Sequence, residues 1–404
     1  MPNIILLDNP DCSPLFPLCA TRPVSELRVG ALRISEKWER YLGLPVSYTT
    51  AEHLRHKYPT VLSDDNLIIN AALVPDQALA ARISAISNRE FVTYKGELIA
   101  VRLGPLENRE ISDVLNTYRA VFREWNQREE PPLINRLPDL LRLMPEALLQ
   151  DISLLTAGRA SQPLPSTVQA LQPDRIFIEE GARLSFATIN ASEGPVYIGP
   201  DVEIMEGAML RGPIAILKGA QVRMGARIYG PCVIGPGCKV GGELAKSVLL
   251  ANSNKAHDGY LGDSYIGEWC NLGADTNTSN LKNNYSEVKL WDYATGRFER
   301  TGAQFLGLFM GDHAKCGINT MFNTGTVVGV FANIFGAGYP RNFIPDFAWG
   351  GAESPWRTYD FEEACKTAKA VLARRNMTFD AAEKNILYHI YRQTAGYRTW
   401  ERQV

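Results

Sequence analysis

The sequence predicts an α/β N-terminal domain, then a parallel β-helix of hexapeptide repeats, then C-terminal helices. The first observation is a strict beat over residues 198–245. An aliphatic residue opens every sixth position: Ile198, Ile204, Leu210, Ile216, Val222, Ile228, Ile234 and Val240. A second apolar and mostly small residue follows four later: Val202, Ala208, Ile214, Ala220, Ala226, Cys232, Cys238 and Leu244. A helix repeats at about 3.6 residues and a half-buried strand at about 2, so neither keeps this beat. A fixed short period with interspersed glycine marks a stacked coil. The second observation is the alternation of short strands with helical stretches over residues 1–105. The third is a pair of helical stretches, 361–375 and 378–391, after the last repeat.

The length of 404 residues argues for two or three domains. Hydrophobic content of 45% and charged content of 21% are ordinary for a globular chain. A net charge of −2 gives no electrostatic support for a nucleic-acid or membrane-surface role. No apolar run is long enough to span a bilayer. Residues 1–10 carry no basic flank ahead of their apolar run, so no signal peptide is expected. Seven scattered cysteines without a C-x-x-C pair indicate neither a zinc site nor a disulfide framework. The expected compartment is the cytoplasm.

Taken in order, residues 3–8 read as a buried strand followed by a loop containing proline and cysteine. Residues 31–41 read as a helix, and 46–49 and 66–69 as strands. Residues 75–84 read as a helix with Pro75 in its first turn. Residues 90–102 alternate about Lys95-Gly96 and predict a hairpin. Helical patterns at 109–125 and 137–156 make 106–172 a helical connector, with a Pro-containing linker at 161–173. Imperfect repeats begin at Ile178 and Leu184. The beat drifts near 246–259, resumes at Tyr260, Ile266 and Leu272, and breaks at the polar insertion 282–301. It returns with Met310, Cys316, Phe322, Val328 and Ile334. The coil is expected over 173–350, and a helical cap for its open end over 351–404.

A repeat coil is a scaffold, so chemistry is sought where the beat breaks. Lys246, Lys255, His257 and Tyr260 gather at one break; Asn271, Gly273, Ala274, Asn280 and Lys282 gather at the next. Leu272 and Thr276 are inward by register, so Asn271 points outward. Gly273 and Ala274 leave room for a ligand to lie against bare backbone N–H groups. A histidine near neutral pKa can take a proton from an attacking amine, and His257 is placed for that role. His313 falls at an outward slot and reads as a solvated face. Only these two histidines fall in the coil, too few for a three-histidine zinc site, so no metal is expected there.

The run Lys255-Ala-His-Asp-Gly-Tyr-Leu-Gly-Asp263, then Ile266-Gly267, then Asn271-Leu-Gly-Ala274, resembles a known family. It is the acetyltransferase half of the bifunctional N-acetylglucosamine-1-phosphate uridylyltransferase/glucosamine-1-phosphate N-acetyltransferase family. The resemblance covers roughly residues 173–345. It implies a left-handed coil, a homotrimer with sites between subunits, and acetyl-CoA as co-substrate. It implies His257 as the general base on a sugar amine. Lys246, Lys255, Tyr260, Asn271, Asn280 and Lys282 become candidate contacts to an amino sugar phosphate or nucleotide-linked amino sugar. Gly273 and Ala274 become candidate cofactor contacts, with a backbone N–H near the thioester oxygen. Two positions depart from the pattern. The family's Cys-Asn-Tyr appears as Ser279-Asn280-Leu281, and an expected arginine falls on or near Tyr229.

Residues 1–105 stand where the uridylyltransferase half belongs and resemble a shortened nucleotidyltransferase fold. Arg22 and Lys37 take the places of that family's arginine and lysine and are candidate nucleotide contacts. The loop at 9–14 lacks the glycines that expose phosphate-binding N–H groups. The metal-binding aspartate falls on Asn70-Ala71-Ala72, with Asp76 the nearest carboxylate. The resemblance implies an eroded first domain, with Mg²⁺ required only if it is active. Two alternative functions follow: a sugar-1-phosphate nucleotidyltransferase run by this domain, and a non-catalytic scaffold that binds nucleotide sugars.

Overall fold

The computed structural model describes residues 2–9, 11–106, 111, 122–125 and 130–403. The N-terminal sheet contains β1 (Asn3–Leu7), β2 (Val46–Thr49), β3 (Asn66–Asn70), β4 (Phe91–Tyr94), β5 (Glu97–Leu103) and β6 (Phe122–Glu124), in the order β2-β1-β3-β5-β4-β6. β1 pairs in parallel with β2 and β3, while β5 runs antiparallel to β3 and β4. Both faces of β1 are buried, Ile4 and Leu6 in the main core and Ile5 in a smaller cluster with Ile68 and Val101. That explains its unbroken apolar run.

Helices α1 (Ile34–Leu42), α2 (Gln77–Ser84) and α3 (Leu137–Thr156) pack against this sheet's main core. Asp76 caps α2 by accepting from the Leu79 N–H at 2.6 Å. Asp139, at the third position of α3, accepts from the N–H groups of Asn135 and Arg136 at 3.0 and 2.9 Å.

Two expectations change here. The helix expected at 109–125 falls mostly outside the described residues, and its end is strand β6, parallel to β4. The segment 106–172 is not a detached connector. Leu133, Ile134, Leu140 and Met144 share one core with Ile4, Leu6 and Trp38, and the segment's last strand, Gln169–Leu171, already pairs with the coil.

The coil has three faces of parallel strands. The first runs from Gln169–Leu171 to Tyr260–Gly262 in six strands, and the second from Ile176–Ile178 to Phe343–Ile344 in nine. The third begins at Arg183–Leu184 and has ten, with Arg357–Thr358 added antiparallel at its end. The aliphatic openers and their partners four later line one continuous interior. The register differs from the expected beat at one layer. Leu261, not Tyr260, stacks inward on Leu244, and Tyr260 faces outward beside Glu243.

The second face is covered by the rest of the chain. Its outward residues Tyr197, Val233, Tyr265, Phe309 and Val327 are buried in the same core as Trp38 and Leu140. Burial of an aromatic such as Phe309 stabilises by about 2–3 kcal/mol relative to exposure. The Tyr265 hydroxyl accepts from the Arg28 N–H at 3.0 Å and donates to the Arg28 carbonyl at 2.9 Å, fixing the α/β unit to the coil. The insertion at 282–301 forms a hairpin, Lys289–Asp292 against Arg297–Arg300. Its Trp291 stacks on Phe343 at 4.1 Å.

Helices α4 (Phe361–Ala373) and α5 (Ala381–Gln393) follow the expected stretches but not the expected position. They lie along the second face and against the α/β unit, where His53 stacks on His389 at 4.1 Å. Trp356 and Trp400, packed against the coil interior, are the residues nearer to a plug. No helix among the described residues is long and apolar enough to cross a membrane.

Candidate active site at the coil corner

The corner between the third and first faces carries the predicted base. The chain turns there between strands Asn254–Lys255 and Tyr260–Gly262, and His257 is exposed in the turn. Its imidazole makes no hydrogen bond to another described residue. Lys255 takes a different part from the one expected. It occupies an inward slot above Val240 and is fully buried. Its Nζ donates to the carbonyls of His257 and Asp258 at 2.5 and 2.8 Å. Burial pulls its ammonium down to about 8. It holds the turn that carries His257 with two of its three N–H donors.

The next layer repeats the corner. Asp275 N–H donates to the Asp258 carbonyl at 3.0 Å, and Asn319 N–H donates to the Ala274 carbonyl at 2.8 Å. His257 and Ala274 therefore lie in successive turns of one edge. The Gly273 N–H is spent on the Cys316 carbonyl at 3.1 Å, whereas the Ala274 N–H has no acceptor among the described residues. Gly273 matters for another reason: a Cβ there would meet the Gly317 backbone at 2.5 Å.

On the first face the structure assembles a polar network. Asn280 Nδ2 donates to Tyr260 Oη at 3.1 Å and to Asp263 Oδ2 at 2.6 Å. Lys246 Nζ lies 3.3 Å from Asp263 Oδ1. The Tyr260 ring lies across Gly262, where a Cβ would come within 2.2 Å of its hydroxyl. Burial, then Asp263 and Glu243, raise the Tyr260 phenol, so it stays protonated and able to donate. Tyr229, beside Arg227 in the same ladder, donates its hydroxyl to Glu243.

Lys246, Tyr260 and Asn280 are thus brought together. Asn271 sits apart on the third face, between Asn254 and Lys315, with Asn254 Nδ2 3.4 Å from its Oδ1. Lys282 is turned toward the insertion and donates to the Glu287 carbonyl at 3.0 Å. Asp263 was missed as a site residue. Its position six residues after His257 was the available signal, but its role depends on Lys246 and Asn280 converging on it from two different layers.

The candidate nucleotide contacts Arg22 and Lys37 both pair with carboxylates inside the fold. Lys37 is buried with its ammonium on the buried carboxylate of Asp151. Burial lowers the lysine and raises the aspartate, so desolvation outweighs the pairing on both sides. Asp151 also accepts from the Leu32 N–H at 2.9 Å, and Gly30, at φ +87°, leaves space for its carboxylate. Arg22 is buried between Glu268, at 2.7 Å, and Asp312, both on the coil. Both cations are spent inside the fold. His313, expected on a solvated face, is instead buried under the α/β unit and α5.

The position expected to hold a metal does not fit one. Asn70 donates from Nδ2 to the Leu98 carbonyl at 3.0 Å, and its Oδ1 accepts from the Ala72 N–H at 2.9 Å. Asp76 is occupied in capping α2. Among the described residues no group of three His, Cys, Asp or Glu is placed to hold a metal ion.

Residues 4–160 match the family model described as sugar nucleotidyl transferase. The chain therefore joins a unit that matches this family model to a hexapeptide coil. It resembles the bifunctional nucleotidyltransferase/acetyltransferases. One curated relative is the bifunctional sugar-1-phosphate nucleotidylyltransferase/acetyltransferase of Sulfurisphaera tokodaii, 37% identical over 93 residues, or 23% of each chain. Another is the bifunctional protein GlmU of Methanocaldococcus jannaschii, 39% identical over 87 residues, covering 22% of this chain and 21% of that one. The match thus spans about a quarter of the length of these relatives. Among solved structures, LpxA, a UDP-N-acetylglucosamine acyltransferase from Bacteroides fragilis, has a TM-score of 0.25 and 12% identity, covering 56% of this chain and 95% of that one. An AntD variant, an N-acyltransferase from Bacillus cereus with dTDP and coenzyme A, has a TM-score of 0.23 and 10% identity, covering 52% and 87%. The coil assignment rests on the strand ladders themselves.

Proposed function

We propose that the chain is a transferase that moves an acetyl group from acetyl-CoA to the amine of an amino sugar phosphate or nucleotide-linked amino sugar. The observation that carries this reading is the corner itself. An exposed imidazole sits on a turn pinned from inside by Lys255, with the unclaimed Ala274 N–H on the next turn. In the proposed step His257 takes a proton as the sugar nitrogen attacks the thioester carbonyl. The C–N bond forms, the C–S bond breaks, and the coenzyme A thiolate leaves. The Ala274 N–H would stabilise the oxyanion, an effect worth about 3 kcal/mol in comparable sites. Tyr260, Asn280 and Lys246 orient the sugar. With the second face covered, the two remaining faces and the corner between them are free for a homotrimer with sites between copies. The names of the curated relatives support the same reading, and a cytoplasmic location goes with it.

The test is coenzyme A release with glucosamine 1-phosphate and with nucleotide-linked amino sugars. Wild type should turn over at least one acceptor, and His257→Ala should lose about two to four orders of magnitude in turnover. Undiminished acetyl-CoA consumption by that variant rejects His257 as base. The family match of residues 4–160 favours a second reading, a sugar-1-phosphate nucleotidyltransferase. A pyrophosphate-release assay with Mg²⁺, UTP or dTTP and sugar phosphates tests it, and silence across the panel leaves the α/β unit as a binding or structural domain.

A further inference from the structure

A cavity of about 240 Å³ lies where three parts of the chain meet: the strap after β1, two coil turns, and helix α5. The proposed transfer chemistry does not use it. Among the described residues, eight buried side-chain nitrogen or oxygen atoms lack a hydrogen-bond partner in the chain. Four of them belong to residues lining this cavity: Arg22 Nε, Arg33 Nε, His313 Nδ1 and Glu383 Oε2. Buried polar groups are ordinarily paired, so four orphans around one space mark a place for polar ligand atoms. Arg22 and His313 are only 7% and 9% exposed, so bulk water does not serve them. The His313 ring is held in plane, stacked on Phe331 at 4.5 Å and facing Trp269 at 6.3 Å. Burial keeps that imidazole neutral.

The fixed charges select the kind of ligand. Arg22 is held by Glu268 and Asp312, Arg33 by Glu26 and Glu36, and Lys57 by Glu383. The lining carries three basic groups and four carboxylates already paired with one another, so an ion of either sign would have to displace one of these partners. Hydroxyl groups both donate and accept, so a neutral polyol can serve two guanidinium N–H donors, a carboxylate oxygen and an imidazole at once. Aromatic walls at Tyr58 and Trp269 suit the C–H faces of a sugar ring. The volume is below the roughly 300–1,000 Å³ of pockets for drug-sized ligands, which leaves out a nucleotide. We propose that this cavity binds a small neutral polyhydroxylated ligand of monosaccharide size, separate from the coil-corner site and bridging the α/β unit, the coil and α5. The inference does not depend on the transfer reaction.

Calorimetric titration of the full chain tests it, with glucose, N-acetylglucosamine and myo-inositol as neutral probes and inorganic phosphate as the anion. At least one neutral probe should bind at millimolar concentration or below. Glu383→Gln keeps the side chain's size and should weaken binding about tenfold. Arg33→Lys, which keeps the charge and deletes one orphan N–H, should weaken it as well, and serves if the first variant misfolds. Tyr260→Phe, at the corner, should leave this binding intact, and Trp269→Phe should remove the fluorescence change that reports it. The proposal is overturned if no neutral probe gives heat, if phosphate alone binds, or if Tyr260→Phe abolishes binding while Glu383→Gln and Arg33→Lys do not change it.

Discussion

Lys37, in the α/β unit, lies wholly inside the protein with its ammonium on Asp151, whereas Lys246, at the far edge of the coil's first face, stays at the surface beside Asp263. Arg22 repeats the first case and His257 the second. Arg22 is enclosed by two carboxylates of the coil, and His257 is exposed and has no partner among the described residues. In the sequence Arg22, Lys37 and Lys246 read as contacts to a phosphate-bearing ligand and His257 as a base. What separates them is whether the fold leaves a free hydrogen-bonding direction. In the α/β unit Lys37 holds the domain together and Arg22 docks it on the coil. At the corner, buried Lys255 supplies the structural hold, so its neighbours stay open to a ligand.

Four single variants and one double variant test this contrast. The largest effect is expected for His257→Ala, about two to four orders of magnitude in acetyl transfer. Its melting temperature should stay at the wild-type value, because the side chain is exposed and has no partner among the described residues. A matching loss of stability would move His257 into the structural class. Next is Lys37→Ala, which strands the Asp151 carboxylate in the core and should cost about 3–5 kcal/mol by urea unfolding. Lys37→Met combined with Asp151→Leu should recover most of that loss. If Lys37→Ala unfolds like wild type but loses nucleotide affinity, Lys37 is a ligand contact after all.

Lys255→Met should cost about 1–3 kcal/mol, since two turn carbonyls lose their donor. It should lower kcat more than it changes KM for acetyl-CoA. It also carries a pH signature. With Lys255 near 8 in the fold against an ordinary 10.5, the native protein binds fewer protons than the unfolded chain between those values. Stability from this group therefore rises with pH across that window. Lys315, also lowered to about 8, contributes in the same direction, so the difference between wild type and variant is the quantity to measure.

A last variant concerns Asp8, just after β1. Burial pushes its carboxyl up to about 7 from an ordinary 3.8, against the hydrogen bonds from Thr50 and Val24. The native state holds the proton longer than the unfolded chain, so this group's contribution falls as pH rises from about 3.8 to 7. Asp8→Asn should flatten the stability profile across that range. An unchanged profile would mean that Asp8 ionises as an exposed carboxylate does.

Much of the coil was legible because its period depends only on which side chains face inward, and Leu210, Val222 and Ile234 declare that locally. The hairpin at Lys95-Gly96 and helix α2 behind Asp76 are likewise local. Counting sixes puts Tyr260 at an inward position. The turn at 256–259 moves the inward position to Leu261, and that shift is set by how one turn stacks on the next. His313 reads as solvated because its slot is outward, but it lies in the turn between the second and third faces, which the α/β unit and α5 cover.

The sequence by itself determined the repeat, the strand and helix periods and the chemical types collected at the first break in the beat. These follow from short-range spacing and side-chain polarity. Only the tertiary structure decided that Arg22 and Lys37 are spent on carboxylates, that Lys255 holds the turn from within, and that Asp263 joins Lys246 to Asn280. Each of those outcomes depends on pairs many residues apart. A charged group's role is set by the partners that desolvation forces on it, and those partners are chosen by packing.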